Sequence, residues 1–459
     1  MDDFAWATGT LAARQTVYQA AYDYYAGKHV LTFVTQKFRQ TFGALLQAFA
    51  DNLCPAVVDT VGDRLTISGF SAEGGPATGG PSTGSGRDAA GAAAWAIWQA
   101  NRMDQRSREA HLDALVGGDA YLVVWPDAAG QPTLYPNAGA TLAVKYDPET
   151  PGRIVQAAKA WLNDDGFLRL TLYYADRIEK WISAAKLSSG LVGPLNAAAF
   201  VPFEAAGVAW PVVNPWGEVP VFHFANNGFT GQLGRSELAD VLPLQNALNK
   251  AVCDMLVAME FVALPQRWVT GLEVELDPAT GKPKAPFVPG VDRVWAVGAP
   301  DARFGEFGPA NLSQLVAVQE AFRTEIARVS RTPLHYLAPS GEFPSGEALK
   351  TAEAPLLAKV KQRQVVWGNV WENALGLALR MAGGPRVRLN AQWVDPTPRN
   401  ETEFLNGLAV KQALGVSDVQ LQREMGYSAD EIAGFAAERT AQATDVGSQL
   451  LTAFEQGAA

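Results

Sequence analysis

NLSQLVAVQEAFRTEIARVSRTPLHYLAPSGEFPSGEALKTAEAPLLAKVKQRQVVWGNVWENALGLALRMAGG, residues 311–384, is the stretch around which the chain is organised. Leu312, Leu315, Phe322, Ile326 and Val329 recur at three- and four-residue spacing, which puts them on one helical face. Asn311 is placed to cap that helix and Thr332-Pro333 to stop it. Arg331 to Pro344 holds three prolines and a glycine and cannot continue as helix. Ser345 caps the next helix, with Glu347 in the first turn, where the macrodipole favours a carboxylate. Leu349, Ala352, Leu356, Val360, Trp367, Trp371, Ala374, Ala378 and Met381 form its apolar stripe, and Gly383-Gly384-Pro385 ends it. At 1.5 Å per residue the run from Ser345 to Ala382 spans roughly 55 Å, and Pro355 inside it predicts a kink. Read from periodicity alone, the same pattern describes two core helices with a surface loop.

With 459 residues the chain has room for about three domains. An apolar content of 48% and a charged content of 18% describe an ordinary folded protein. Lys and Arg total 37 against 47 Asp and Glu, a formal charge of -10, which excludes tight non-specific binding to nucleic acid by bulk electrostatics. Cys54 and Cys253, far apart in sequence, are expected as buried thiols in a reducing compartment. No apolar run reaches the roughly 18 residues of a membrane span, and Met-Asp-Asp-Phe lacks the basic start of a signal peptide. The expectation is a soluble protein made in the cytoplasm.

Residues 10 to 52 read as two helices parted by Gly27-Lys28. Pro55 is expected to close the second, with Val57-Val58-Asp59 and Arg64 to Phe70 as short strands. Ser71 to Gly91 is a flexible Gly/Pro/Ser loop. One helix is expected over Ala92 to Val116. Tyr121–Trp125, Thr133–Tyr135, Ala140–Tyr146, Val155–Leu162, Leu168–Tyr174 and Ile178–Trp181 then read as a meander of antiparallel strands, with Asn163-Asp164-Asp165-Gly166 as a solvated hairpin turn. A proline-punctuated connection over Leu187 to Trp216 leads to a strand at Val219–Phe224. A long amphipathic helix from Ser236 to Val262 follows, with Val241, Leu248, Met255 and Val262 spaced by sevens as a seam for a helical neighbour. Between the two long helices, residues 266 to 310 are strand and turn, including the polar hairpin Asp277 to Lys284. Arg386 to Val394 alternates like a strand, and the chain from Glu401 is helical, with breaks near Gly415 and Gly426.

Catalytic signatures are missing. There is no phosphate-binding loop, His-Glu-x-x-His, Cys-x-x-Cys or dinucleotide fingerprint behind a strand. His29, His111, His223 and His335 fall in separate elements. Gly80-Pro-Ser82-Thr-Gly84 matches the nucleophile-elbow pattern, but in a low-complexity loop rather than a strand-to-helix turn. Ser183-Ala-Ala-Lys186 matches a Ser-x-x-Lys pattern without its companion motifs. A hydrolase using Ser82 is therefore the weakest reading, and neither a cofactor nor a metal is expected.

The order of parts resembles the portal proteins of long-tailed double-stranded DNA bacteriophages. The likeness is carried by Asp63-Arg-Leu65 with Gly69-Phe70, Trp98 to Asp104, Leu115 to Tyr121, Asn246 to Lys250 and above all Pro344-Ser-Gly-Glu-Ala-Leu-Lys-Thr-Ala-Glu353, which together cover nearly the whole chain. The resemblance implies an α+β portal-type subunit. Residues 1–235 would be a wing of helices and antiparallel strands, 236–262 and 311–330 the two stem helices, and 263–310 a β-rich clip. Residues 331–344 would be a tunnel loop, 345–398 the long kinked wing helix and a strand, and 399–459 a helical crown and tail. The loop at 71–91 departs from the family pattern.

The resemblance further implies a channel at one capsid vertex through which double-stranded DNA is packaged and ejected, built as a ring of about twelve copies. Its partners would be DNA held without sequence preference, the terminase packaging motor, a head-tail adaptor, and the major capsid and scaffolding proteins, with no membrane involved. It would reside at the portal vertex of the virion, and in the host cytoplasm during assembly. Arg331, His335, Tyr336, Glu342, Phe343 and Lys350 would face DNA, while Asp277, Lys282 and Lys284 would meet the clip's partners. Another kind of head-tail connector is the alternative, and it should lack paired long helices around a β insertion.

Overall fold

Asp2 starts the first helix: its carboxylate accepts from the Phe4 amide at 3.4 Å, and helix α1 runs Asp3–Tyr25. The computed structural model describes residues 2–29, 36, 40, 51–72, 85–187, 191–204, 209–228, 232–263, 267–271, 276, 278, 281, 300–306, 312–337, 346–397, 401–427 and 431–440. Ser82, Glu342, Phe343, Asp277, Lys282 and Lys284 lie outside the described residues. The chain divides into two compact units. The first comprises Met1–Lys28, Leu53–Val241 and Val329–Ala459, and the second His29–Asn52 with Leu242–Arg328.

In the first unit the segment expected as strand at Val57-Val58-Asp59 is instead the middle of helix α2, Cys54–Gly62. Pro55 does not close a preceding helix but stands in the first turn of this one, where a missing N–H is harmless. Val57, Val58 and Val61 are fully buried there, so packing overrides the preference of β-branched residues for strands. Strand β1, Ile67–Ala72, follows. The single helix expected over 92–116 is two, α3 (Ser85–Ala100) and α4 (Met103–Gly117). The break falls at Arg102, at φ 53°, beside Asn101, whose side-chain amide donates to the Ile97 and Pro132 carbonyls at 2.9 and 3.1 Å and accepts from the Leu134 amide at 2.9 Å.

The expected meander divides between two sheets. β2 (Asp119–Pro126) pairs with β3 (Pro132–Ala138) and, on its other edge, with a strand much later in the chain. β4 (Leu142–Tyr146), β5 (Ile154–Leu162), β6 (Phe167–Tyr173), β7 (Arg177–Lys186) and β8 (Phe200–Pro202) are consecutive neighbours, and β9 (Val212–Val213) also pairs β7. β10, Val221–Ala225, is the late partner of β2. Side-chain alternation gives the larger sheet two apolar faces. Ala158, Ala160, Leu168, Leu170 and Leu172 pack against Phe4, Ala7 and Leu11 of α1, while Ala157, Tyr173 and Ile178 pack against Tyr121 and Val123 of β2. Ser183 of the Ser-x-x-Lys match is buried and bonded to the Leu168 amide and the Ala185 carbonyl, a structural role.

In the second unit α5 runs Leu242–Ala263, later than the start expected at Ser236. Pro243 stands in its first turn, where a missing N–H is harmless. β11 (Arg267–Thr270) and β12 (Arg303–Glu306) pair antiparallel between α5 and α6, which runs Leu312–Ser330. Within this unit Gln319 of α6 reaches the Met255 sulfur of α5 at 3.3 Å. Met259, Val316 and Val318 remain 46%, 44% and 43% exposed.

Returning to the first unit, α7 spans Gly346–Met381 and continues through Pro355. Its Trp367 and Trp371 are fully buried. Trp371 meets Trp98 edge to face at 5.0 Å and Phe224 at 4.8 Å, and Trp367 stacks on His111 at 5.2 Å. Each indole N–H finds an acceptor: Trp371 donates to His111 Nε2 at 3.0 Å, Trp367 to the Ala225 carbonyl and Trp98 to Asp104. Burial holds the His111 pKa down at about 3, so the ring is a neutral acceptor. β13, Leu389–Trp393, pairs with β1 across more than 300 residues of sequence. Helices α8 (Glu401–Ala413) and α9 (Asp418–Met425) follow, with Gly415 and Gly426 at positive φ where breaks were expected. Trp371→Ala is expected to cost about 3–5 kcal/mol, read as a lowered denaturation midpoint, because it removes both the packing and the donor to His111.

Candidate functional site

The start of the segment that follows α6 is held at two points by charged groups of α7 that are themselves buried. Ser330 closes α6, and Arg331 takes a left-handed φ of 55° to turn the chain. Thr332 and Pro333 are buried, and a short 3-10 turn carries Leu334, His335 and Tyr336 to the buried Leu337.

The first clamp closes on Ser330. Lys359 donates to the Ser330 carbonyl at 2.7 Å and to Glu237 Oε2 at 3.0 Å, with both charged side chains about 95% buried. Arg363, one turn further on, pairs with Glu237 Oε1 and donates to Asn226 Oδ1 at 3.1 Å and Asn227 Oδ1 at 2.6 Å. Burial alone would raise the Glu237 pKa, but Lys359 and Arg363 outweigh it and hold the carboxyl below the usual range. Burial, with crowding by Arg363 and Arg331, pushes the Lys359 ammonium down. One anion thus serves two cations, and carbonyl and amide oxygens act as further acceptors for the positive charge that remains.

Glu237 is fixed in turn by the β2 and α4 ends of the core. Its amide donates to the Leu115 carbonyl at 2.9 Å, and Gly234 ahead of it donates to Asp119 Oδ1 at 2.5 Å. A Cβ on Gly234 would come 1.9 Å from the Gly118 carbonyl oxygen, so only glycine permits this approach. Asp119, fully buried, also accepts from Tyr18, Arg14 and His223 Nε2.

The second clamp closes on the 3-10 turn. Glu353, on the same helix, accepts from Tyr336 Oη at 2.8 Å and lies 3.2 Å from Arg64 Nη2 and 3.3 Å from His335 Nε2. Arg64 also donates to Tyr336 Oη at 2.8 Å and to the Thr60 carbonyl at 2.7 Å, which ties the turn to α2. Of the residues expected to face DNA, the structure brings His335 and Tyr336 together around Glu353, leaves Arg331 exposed beside the first clamp, and places Lys350 exposed in the first turns of α7. Glu237, Glu353, Lys359 and Arg363 are not among the candidate site residues that the sequence offers, because a charged residue on a helix, taken by itself, gives no local sign that it is buried. The signal was there: 353, 356, 360, 363 and 367 continue the helical spacing of the buried stripe. Among the described residues no group of three or more His, Cys, Asp or Glu is placed to hold a metal ion.

Comparison with known proteins adds the following. The family described as phage portal protein, SPP1 Gp6-like, matches residues 79–438. The portal protein of Mycobacterium phage D29 is 25% identical over 399 residues, covering 82% of this chain and 75% of that protein. The portal protein of Mycobacterium phage L5 is 25% identical over 393 residues with the same coverage, 82% and 75%. Among solved structures, a chain of the virion of a native gene transfer agent particle aligns with TM-score 0.46 at 14% identity, over 90% of this chain and 98% of that one. A chain of the neck of a native gene transfer agent particle, computed with C12 symmetry, aligns with TM-score 0.40 at 15% identity, over 70% and 78%. At those scores the structural likeness carries no argument.

Glu237→Gln should leave two buried cations without their anion and cost about 3–5 kcal/mol in chemical denaturation. Because the folded pKa of Glu237 lies below the ordinary value of 4.5, its contribution is complete above pH 4.5 and is lost as pH falls through the folded value. The acid limb of the stability profile should therefore be shallower in the variant than in the wild type.

Proposed function

Because the chain belongs to the SPP1 Gp6-like family of phage portal proteins, and so forms the channel at a capsid vertex, we propose a specific division of labour along it. About twelve copies close a ring. Residues 1–235 with 345–398 form the wing, 236–262 and 311–330 the stem helices, 263–310 the clip, 331–344 the tunnel loop and 399–459 the crown. The clip, through Asp277, Lys282 and Lys284, meets the terminase motor and later the head-tail adaptor, and the outer surfaces meet capsid and scaffolding proteins. The ring sits at the portal vertex of the virion after assembly in the host cytoplasm, and its role is structural rather than catalytic.

One observation in this chain supports the stem assignment above others: Met259 on α5 and Val316 and Val318 on α6 are large apolar side chains left open to solvent. Apolar flanks on rods are what a closed heterologous ring uses between copies. Charge supports the conduit. At -10 per chain a twelve-membered ring carries roughly -120, and a wall that neutralised many phosphates would grip DNA rather than pass it. Arg331 and Lys350 supply sparse basic contacts, with His335, Tyr336, Glu342 and Phe343 completing the loop. The two clamps give that loop a firm root.

Particle imaging with native mass measurement should find a perforated ring of about 590 kDa for twelve chains of 49.0 kDa. A monomer under assembly conditions contradicts the reading. Shortening residues 334–343 should leave the ring intact and impair DNA retention or translocation, whereas loss of the ring would show the loop to be structural. Reversing Arg331 and Lys350 to Glu together should slow packaging, and unchanged packaging would remove them from the DNA path.

A further inference from the structure

Helix α7 contains a glycine that its own fold does not explain. Gly376 lies in the interior of a 36-residue helix, where glycine costs about 1 kcal/mol relative to alanine, yet a Cβ built there would meet no heavy atom within 4 Å. The space it leaves is the floor of a cleft of about 860 Å³ in the first unit, walled by α7, β10 and the segment that enters β13. Asn369, Asn373, Gly376 and Arg380 follow one another at four-, three- and four-residue steps, so one face of α7 is turned into the cleft.

The walls are cationic. Arg153, Arg380, Arg386 and Arg388 line the cleft, against two carboxylates, Glu218 and Glu372. Both acids already have work: Glu218 pairs with Arg380, and Glu372 accepts from the Ala391 amide at 2.9 Å. Arg386 and Arg388 flank Val387 just ahead of β13 and lie exposed, and Arg386 has no ion-pair partner among the described residues. Burial, then the charge of Arg386, lowers the Arg380 guanidinium from its ordinary range. Arg153 and Arg380 are paired, with Asp147 and Glu218, whereas Arg386 adds a charge to the cleft that no ion pair among the described residues offsets, and a helix interior gains nothing from Gly376.

We propose that this cleft is a binding site for a compact, multiply charged phosphate ligand, seated over Gly376 and gripped by Arg380, Arg386 and Arg388 with the Asn369 and Asn373 amides. Guanidinium forks match phosphate oxygens in pairs, and amide N–H groups add neutral donors between them. The volume lies within the roughly 300–1,000 Å³ of ordinary ligand clefts. The phosphate comes either from a free polyphosphate, such as that of a nucleotide, or from the backbone of DNA. The site stands apart from the tunnel loop and does not depend on the assignment of that loop.

The test is calorimetric titration of the full-length protein with sodium tripolyphosphate at low ionic strength. Saturable binding is expected, weakened roughly tenfold or more by combined Arg386→Ala and Arg388→Ala, both at exposed positions. Gly376→Leu, which fills the floor while leaving every arginine in place, should abolish it. Gly376→Ala serves as the folding control and should raise the melting temperature. Absence of binding to the wild type, or unchanged affinity in both the leucine and the arginine variants, overturns the proposal. Equal binding of polyglutamate at matched charge overturns its phosphate chemistry and makes the cleft a seat for an acidic peptide. Addition of duplex DNA to the tripolyphosphate complex separates the sources: displacement assigns the site to the DNA backbone, and retention assigns it to a free polyphosphate.

Discussion

One carboxylate shared by two buried cations governs the elbow of this subunit. Glu237 sits between Lys359 and Arg363, all nearly excluded from water, and each of the three would be costly to bury alone. An apolar contact of the same area could hold the elements together, but it would tolerate sliding. An ammonium that must reach both the Ser330 carbonyl and Glu237 has one position, so the end of α6 is fixed against α7 to within hydrogen-bond tolerance. That fixes where the loop begins. Glu353, nearer the start of α7, fixes where its first turn lies, through Tyr336, Arg64 and His335.

The clamp is only as rigid as the frame behind it. Asp119 and the close approach of Gly234 to Gly118 lock the turn that carries Asn226, Asn227 and Glu237 onto the β2 edge. The tryptophan cluster around Trp98, Trp367 and Trp371 then seats the middle of α7 on the same core, with a neutral His111 as the acceptor inside it. The segment that follows α6 needs such a root, since its own short turn buries too little to hold a position. The same helix therefore serves the core with one face and, in its later turns, the arginine-lined cleft with another.

Local reading of the chain succeeded where a single physical cause decides the outcome. The hairpins of the larger sheet, the α6 and α7 spans, and the stops at Gly415 and Gly426 follow from side-chain alternation, three- and four-residue spacing and glycine's access to positive φ. It failed where two causes compete. Val57 and Val58 read as strand because β-branched residues favour one, yet burial within α2 prevailed. The helix over 92–116 broke at Arg102, beside Asn101, whose side-chain amide bonds a strand thirty residues away as well as its own helix.

The candidate site shows the same division. Helical periodicity and the prolines of 331–344 by themselves determined that two long helices flank an irregular loop, because those are properties of neighbouring residues. Which charges hold that loop could be decided only in three dimensions. Lys359 and Arg363 meet Glu237 across more than 120 residues, and β13 returns to β1 across still more of the chain. A charged residue on a helix reads as solvent-facing until its partner is known, and the partner's position depends on how the whole unit folds back on itself. The glycine and arginines of the cleft came together for the same reason, each unremarkable in sequence and adjacent only after folding.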